Sequence, residues 1–352
     1  RIQREHIVPG AAERGGVFSM DTDGLEGSTR RMVWTDFDQW HWENLSLPSG
    51  VRASTFRYAT SISRPIRAQA TFGPDGLTGT IDWGPFQTVE DVLLATGWSW
   101  NLAVHMGEDG RFAARADDVL PPGQLVQGAM LSQRQQWTQQ MFRDVLEDLA
   151  ARRRDGALPI LLARAAPLDM HLGPLEDVDR LGETLVTIPL VLKRPPEKTR
   201  VKIPSLFLPC RSVDSPDGAG VSQAFSNVDG KWLGPLSAPT QTMLRFQCPE
   251  SLLPMVCRSA KLTVSVQAPL RAVSVIGIEQ GKVVELAHWE SPIGTKQVLI
   301  DRREVLNLDR RGGLSLGIRV GDVPPETGSE ITSRAWKIDE VQLELTAETG
   351  LE

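Results

Sequence analysis

Tyrosine is nearly absent: one residue, Tyr58, in 352, against ten tryptophans and ten phenylalanines. Histidine (five) and cysteine (three) are also sparse, and their scarcity limits the chemistry that can be read. His6, His41, His105, His171 and His288 show neither H-x-H nor H-E-x-x-H spacing, so no zinc-hydrolase motif is present. Cys210, Cys248 and Cys257 contain no C-x-x-C pair, which removes redox and zinc-knuckle motifs. Gly-x-Ser-x-Gly, P-loop and dinucleotide-binding patterns do not occur. No run approaches the roughly 18–20 apolar residues that cross a bilayer as a helix. The net charge of −6 is spread along the chain, which argues against a general nucleic-acid binder, because phosphate affinity needs a concentrated basic surface.

What the chain does contain is alternation. In Ala260-Lys-Leu-Thr-Val-Ser-Val-Gln-Ala268 the aliphatics take every second place. A strand sends successive side chains to opposite faces, so this segment has one face in a core and one in water. The pattern returns at Leu314, Leu316, Ile318 and Val320, and at Val341, Leu343 and Leu345. In the last segment the inward set changes parity after Trp336 and Ile338, so one extra residue near Asp339-Glu340, a bulge, is expected. The fold class is therefore mainly β: a C-terminal antiparallel sandwich plus an N-terminal β-rich domain with one long amphipathic helix.

The organisation expected is an irregular segment 1–30, a β-rich domain 31–157 ending in helix 132–154, and a sandwich domain 158–352. Glu108-Asp-Gly110 reads as a hairpin turn, and Val89–Ala95 as a short helical turn. Ser132 is a helix N-cap, and Trp137, Met141, Phe142, Val145, Leu146 and Leu149 form the buried stripe of that helix. Residues 214–239 form a long Gly/Pro/Ser-rich loop, a feature that is usually functional when it occurs inside a compact domain.

The segment Leu244-Arg-Phe-Gln-Cys-Pro-Glu-Ser-Leu-Leu253, the strand Ala260–Ala268 and the ending Trp336-Lys-Ile-Asp-Glu-Val-Gln-Leu-Glu-Leu345 resemble galactose-binding-like jelly-roll domains, the sandwich shared by many carbohydrate-binding modules. The resemblance covers roughly residues 184–346. It implies a jelly-roll sandwich, for which a structural calcium is common, but neither a calcium cluster nor a sugar platform aligns. It therefore extends to fold and not to ligand.

The candidate ligand-binding residues are tryptophans. Trp40 and Trp42, like Trp98 and Trp100, place two indoles on one side of a strand, and Trp232 and Trp289 lie in or beside loops. Indoles in pairs stack on sugar rings or, more commonly, fill a β-core; Trp232 is the best placed for exposure. For metal, Asp21, Asp23 and Glu26 alternate acidic oxygens around Gly24, as at the start of a Ca2+ loop, although an ordinary Asp-Gly turn is the heavier reading. Asp339 is a second, weaker candidate. Asp169 with His171, Asp117 with Asp118, and Asp36 with Asp38 could be written as catalytic pairs, but solvated surface groups explain them better.

Cys248 and Cys257 flank a turn and would bridge in an oxidising compartment, but small buried thiols are the simpler reading. Arg1, Arg4 and His6 before Pro9-Gly10 read either as the aqueous flank of a membrane anchor preceding Arg1 or as an arbitrary boundary. The function expected is a non-catalytic, extracytoplasmic interaction or structural module of a bacterial envelope protein, with a protein or glycan partner and no nucleic acid. The alternatives are a glycan-binding protein and, third, a polysaccharide-acting enzyme, which would need two carboxylates about 5–10 Å apart across a cleft.

Overall fold

Alternating burial runs through the computed structural model. It describes residues 64–96, 101–120, 123–126, 131–152, 159–166, 183–228, 230–323 and 335–350, and the strand backbones at 18–20, 31–36, 39–43 and 54–56. The chain divides into two units, Arg1–Arg64 and Pro65–Glu352. In the first, β1 (Phe18–Met20) pairs with β4 (Ser54–Phe56), and β2 (Arg31–Asp36) with β3 (Gln39–Glu43), both antiparallel.

The second unit opens with an eight-stranded sheet. Its strands are β5 (Arg67–Gly73), β6 (Gly76–Asp82), β7 (Glu90–Ala95), β8 (Asn101–Ala103), β9 (His105–Met106), β10 (Arg111–Arg115), β11 (Ile160–Ala165) and β12 (Thr184–Lys193). They lie in the order β8-β7-β11-β12-β5-β6-β10-β9. Only Val104 separates β8 from β9, the two ends of that order, so the sheet closes on itself as a barrel and removes its open edges. The hairpin expected at Glu108–Gly110 is present: a 3-10 turn joins β9 to β10, with Asp109 and Gly110 at positive φ.

Inside the barrel, alternate residues such as Phe72, Leu77, Leu94, Leu102, Phe112, Leu161, Ile188 and Leu190 are buried in one cluster. Outside it, Leu93, Ala103 and Leu162 pack under Phe142 of the helix α1 (Gln133–Arg152), with Val145 and Leu146 beside them. The helix start is a capping box: Ser132 Oγ accepts from the Gln135 N–H at 3.3 Å, and Gln135 Oε1 accepts from the Ser132 N–H at 3.0 Å.

Three expectations change here. Val89–Ala95 is not a helical turn but carries strand β7. Val92 and Leu94 face the barrel interior while Leu93 faces the helix, so burial on both sides erases the alternation that marks a strand. Trp137 is not in the helix stripe and is 68% exposed. At about 100° per residue it lies about 140° around the helix from Phe142. Thr138 takes its place against the sheet, 1% exposed. Finally, β11 and β12, grouped with the sandwich by the expected 157/158 division, are hydrogen-bonded into the barrel, β11 against β7 and β12 against β5.

The sandwich follows. One sheet has the order β13 (Arg200–Ile203), β23 (Lys337–Thr349), β18 (Met255–Gln267), β21 (Ile293–Ile300). The other has the order β14 (Cys210–Val213), β17 (Thr240–Gln247), β22 (Gly313–Val320), β19 (Ala272–Glu279), β20 (Lys282–Glu290). All pairings are antiparallel. The aliphatics of 260–268 and 314–320 are buried as their alternation requires. The bulge is at Asp339: Ser265 pairs with Glu340 and Val266 with Ile338, leaving Asp339 as the extra residue.

Within the 214–239 segment, β15 (Phe225–Ser226) and β16 (Lys231–Trp232) form a small hairpin. The segment is pinned by Asn227, whose amide bonds both backbone groups of Ser212, and by Trp336, whose Nε1 donates to Ala238 O at 2.8 Å. The three cysteines are free thiols. Burial pushes Cys210 and Cys257 each up to about 12 and raises Cys248 as well.

Barrel and sandwich share one continuous hydrophobic cluster. Phe72 of the barrel meets Phe207 of the sandwich edge-to-face at 5.0 Å, and Lys202 bonds Asp117 at 3.1 Å. Phe72→Ala is expected to cost about 3–5 kcal/mol. The Phe72→Ala/Phe207→Ala pair should couple by roughly 0.5–1.5 kcal/mol in a urea-unfolding double-mutant cycle. Strict additivity would mean that the two layers are not welded there.

A second hub lies on the helix side of the barrel. Arg164, with an 8% exposed side chain, bonds Asp91 at 3.0 Å, Glu183 at 2.5 Å and Glu90. Between Leu162↔Leu93 and Arg164↔Glu90 the register slips, and this irregularity brings two successive carboxylates to one guanidinium. Burial works against the charged form of Arg164, but the hydrogen bonds it donates to Asp91 and Glu183 outweigh this and hold the pKa above its ordinary value. Arg164→Ala strands three carboxylates together and is expected to destabilise by about 2–4 kcal/mol, measured by urea unfolding at pH 7.

Candidate functional site

The outward positions of the five-stranded sheet form a connected row of polar side chains. Register places Gln241 of β17 beside Arg319 of β22, Arg319 beside Ser274 of β19, and Ser274 beside His288 of β20. Four neighbouring strands thus contribute one residue each to a single line. Leu244, Ile318, Val275 and Ala287 of the same strands belong to or pack on the core, so the same alternation that fills the sandwich turns this row to the outer face, where Arg319 and His288 are exposed and Ser274 is buried.

A bulge supplies the rest. Val275 pairs with Ala287, but Ile276 pairs with Glu285, which leaves Leu286 as an extra residue in β20. Positions 285 and 288 are an odd number apart and would face opposite sides of a regular strand. The extra residue puts Glu285, His288 and Glu290 on one face.

Hydrogen bonds hold the row in two groups, one at each end. Gln241 Nε2 donates to Asp217 Oδ2 at 2.8 Å and to Ser215 Oγ at 2.9 Å, and Gln241 Oε1 accepts from Arg319 Nε at 2.7 Å. At the other end, Ser274 Oγ lies 3.0 Å from His288 Nδ1, and His288 Nε2 lies 2.7 Å from Glu290 Oε1. Glu285 Oε2 is 3.6 Å from His288 Nδ1.

The electrostatics follow from these contacts. The bond to Glu290, with the nearby Glu285 charge, raises the His288 pKa. A hydrogen bond from Ser274, aided by His288, lowers Glu285. Bonds from Gln241 and Ser215 lower Asp217. In connectivity, Ser274, His288 and Glu290 match a nucleophile, a base and an acid. The two carboxylates beside the imidazole favour its protonated form, and the Ser274 hydroxyl also bonds to Glu285.

The sequence candidates lie elsewhere. Trp232 is half-buried, packed edge-to-face on Phe225 at 5.6 Å, and its buried Nε1 has no hydrogen-bond partner among the described residues. Trp289 is half-buried on β20, and its ring packs on the sandwich core, on the face opposite His288. The side chains of Trp40 and Trp42, the pair Trp98 and Trp100, and Asp21, Asp23 and Glu26 fall outside the described residues, as do Asp169 and His171. Asp118 pairs with His105 at 3.0 Å, and Asp339 with Lys337 at 2.8 Å. Among the described residues no group of three or more His, Cys, Asp or Glu side chains is placed to hold a metal ion. Gln241, Arg319, Ser274 and Glu285 were not legible as a site, because strand register rather than sequence proximity brings them together.

No protein-family model matches this chain, and no curated protein does. Among solved structures, one similar chain comes from work on the promiscuous specificity of carbohydrate-binding modules from the β-sandwich superfamily. It is 8% identical, the match covers 83% of this chain and 100% of that one, and the TM-score is 0.18. At that score the likeness carries no argument about fold or ligand.

The pH dependence of the row has a definite sign. A raised histidine pKa contributes stability that is complete below the unfolded value near 6.5 and lost as pH rises through the folded value. The lowered Glu285 and Asp217 contribute above the ordinary carboxylate range, and their contribution is lost as pH falls through their folded values. The row is therefore fully linked between these limits. Wild type should exceed His288→Gln in urea midpoint at pH 5.5, with the difference fading in alkaline buffer. An NMR titration that placed His288 at or below its ordinary pKa would contradict this account.

Proposed function

We propose that this chain is a non-catalytic recognition module that holds a polar partner against the outer face of its five-stranded sheet. The observation that carries the reading is a pair of hydrogen-bonded groups, Asp217–Gln241–Arg319 and Ser274–His288–Glu290, set side by side by the register of Arg319 with Ser274. Side chains that fix one another lose little rotamer freedom on binding, which lowers the cost of association. Their remaining donors and acceptors lie on a sheet, the most rigid platform that the fold offers.

A protein partner is the preferred reading. The row carries charges of both signs in fixed order, and such patterns select partners by electrostatic complementarity. A glycan is the second reading, favoured by planar groups such as Gln241, Arg319 and Glu290, which can meet sugar hydroxyls two at a time. The setting we propose is extracytoplasmic. Burial keeps the three thiols protonated, so an odd cysteine count is tolerable in an oxidising compartment.

A photo-crosslinking residue at position 319, compared with one at Thr263 on the other sheet's outer face, tests the reading in extracts of the source organism. A distinct adduct from position 319, weakened by Gln241→Ala, supports a protein partner. Glycan-array binding lost in Arg319→Ala supports the second reading. Identical adducts from both positions together with an empty array would sink both.

A further inference from the structure

The outer surface of the barrel sinks where β10 crosses it. Arg111, Ala113 and Arg115 face outward along that strand, so a single methyl group lies between two long side chains. Register puts Thr80 beside Arg111, and Thr78 and His105 on either side of Ala113. Arg111, Ala113, Thr78, Thr80, His105 and Met106 line a trough of about 560 Å³. Its charge is unbalanced. Arg111 is exposed, and among the described residues its side chain, like that of Arg115, makes no ion pair or hydrogen bond. Among the same residues no carboxylate lines the trough. Asp118, beyond His105, is engaged by His105 Nε2 at 3.0 Å and by the Arg115 N–H at 3.1 Å. Glu108 and Asp109 stand in the turn before Arg111, outside the trough. Thr80 Oγ1 accepts from Gln69 Nε2 at 3.2 Å, which leaves its own hydroxyl hydrogen to donate.

We propose that this trough docks a glutamate side chain presented by a partner protein. Arg111 offers a planar fork of donors that matches a carboxylate, and the hydroxyls of Thr78 and Thr80 stand beside it. Met106 and Ala113 supply apolar surface for the two methylenes of a glutamate stem, and the thioether adapts to their path. The trough is open to solvent on one side and so covers only part of its occupant, whereas small-molecule sites bury most of their ligand. A basic partner meets like charge at Arg111 and Arg115, and a neutral one would desolvate the Arg111 guanidinium without compensation. The trough lies on the barrel and not on the sandwich face, so this inference stands independently of the recognition row.

The test is NMR of the full chain, labelled at its Met and Ala methyl groups and titrated with acetylated, amidated Leu-Glu-Leu, Leu-Gln-Leu and Leu-Lys-Leu, and with trigalacturonate. The Met106 and Ala113 signals are expected to shift saturably with the glutamate peptide, less with glutamine and not with lysine, the response falling as salt is added. Arg111→Gln should weaken the glutamate peptide by about fivefold or more, with Arg111→Lys, which keeps the charge without the fork, in between. Because Arg111 is exposed and makes no ion pair, both variants are expected to unfold at the wild-type urea midpoint, which separates docking from stability. Absence of a saturable shift at Met106 and Ala113, an equal response to the glutamine peptide, or indifference to Arg111→Gln overturns the proposal. So does trigalacturonate binding there more tightly than the glutamate peptide, since the occupant would then be an acidic sugar and not a protein.

Discussion

The polar face of the five-stranded sheet depends on the apolar face behind it. Leu244, Ile318 and Val275 are driven inward by burial, and each strand must then turn its next residue outward. The hydrophobic demand of the sandwich therefore fixes where Gln241, Arg319 and Ser274 stand before they make any contact of their own. Burying one such aliphatic is worth about 2 kcal/mol. A hydrogen bond between exposed groups contributes less. The core sets the geometry, and the row uses it. The same logic explains why Leu286 matters without touching a partner: the extra residue rephases β20, and only that brings Glu285 onto the face where His288 already points.

The barrel obeys a different version of the constraint. Closure through Val104 removes the sheet's edges, and α1 covers part of its outside, so β7 and β11 are buried on both faces. Everything polar on those strands must then be neutralised locally. Arg164 is the consequence. Its position beside Leu162 places a guanidinium next to the helix-covered patch, and carboxylates from β7 and from the start of β12 converge on it.

Sequence pattern made the sandwich legible because half-buried strands write their faces in alternate letters. Ala260 to Ala268, Leu314 to Val320 and the extra residue at Asp339 could all be placed from period two. The pattern was silent wherever both faces are covered. Val92, Leu93, Leu94 and Ala95 form an unbroken apolar run that is compatible with a turn of helix, and only the cover supplied by Phe142 from α1 resolves it as strand. The run Val283, Val284, Leu286 and Ala287 hid its bulge for the same reason, because two adjacent apolar pairs do not say which residue is extra. Domain grouping was obscured in a further way. The pairing of β12 with β5 joins residues more than a hundred positions apart, and nothing local in Thr184–Lys193 names that partner. The tryptophans drew attention through their number, whereas the row that the structure assembles consists of ordinary polar residues whose only distinction is their register.

The protonation of His288 decides how the row should be understood. A serine, an imidazole and a carboxylate in sequence would describe a hydrolytic set if the imidazole were neutral and its free nitrogen faced the hydroxyl. Here acid lies on both sides of the ring. Glu290 engages Nε2, Glu285 stands close to Nδ1, and Ser274 bonds to Glu285 as well as to the ring. With two carboxylates against one imidazole, the protonated form is favoured relative to that of an ordinary histidine. The serine in turn donates a hydrogen bond to Glu285. Together these contacts hold a fixed pattern of charge, the feature on which the proposed recognition role rests. Gln241, Arg319 and His288 are thus parts of one surface ordered by strand register, and Asp217 joins it through Gln241.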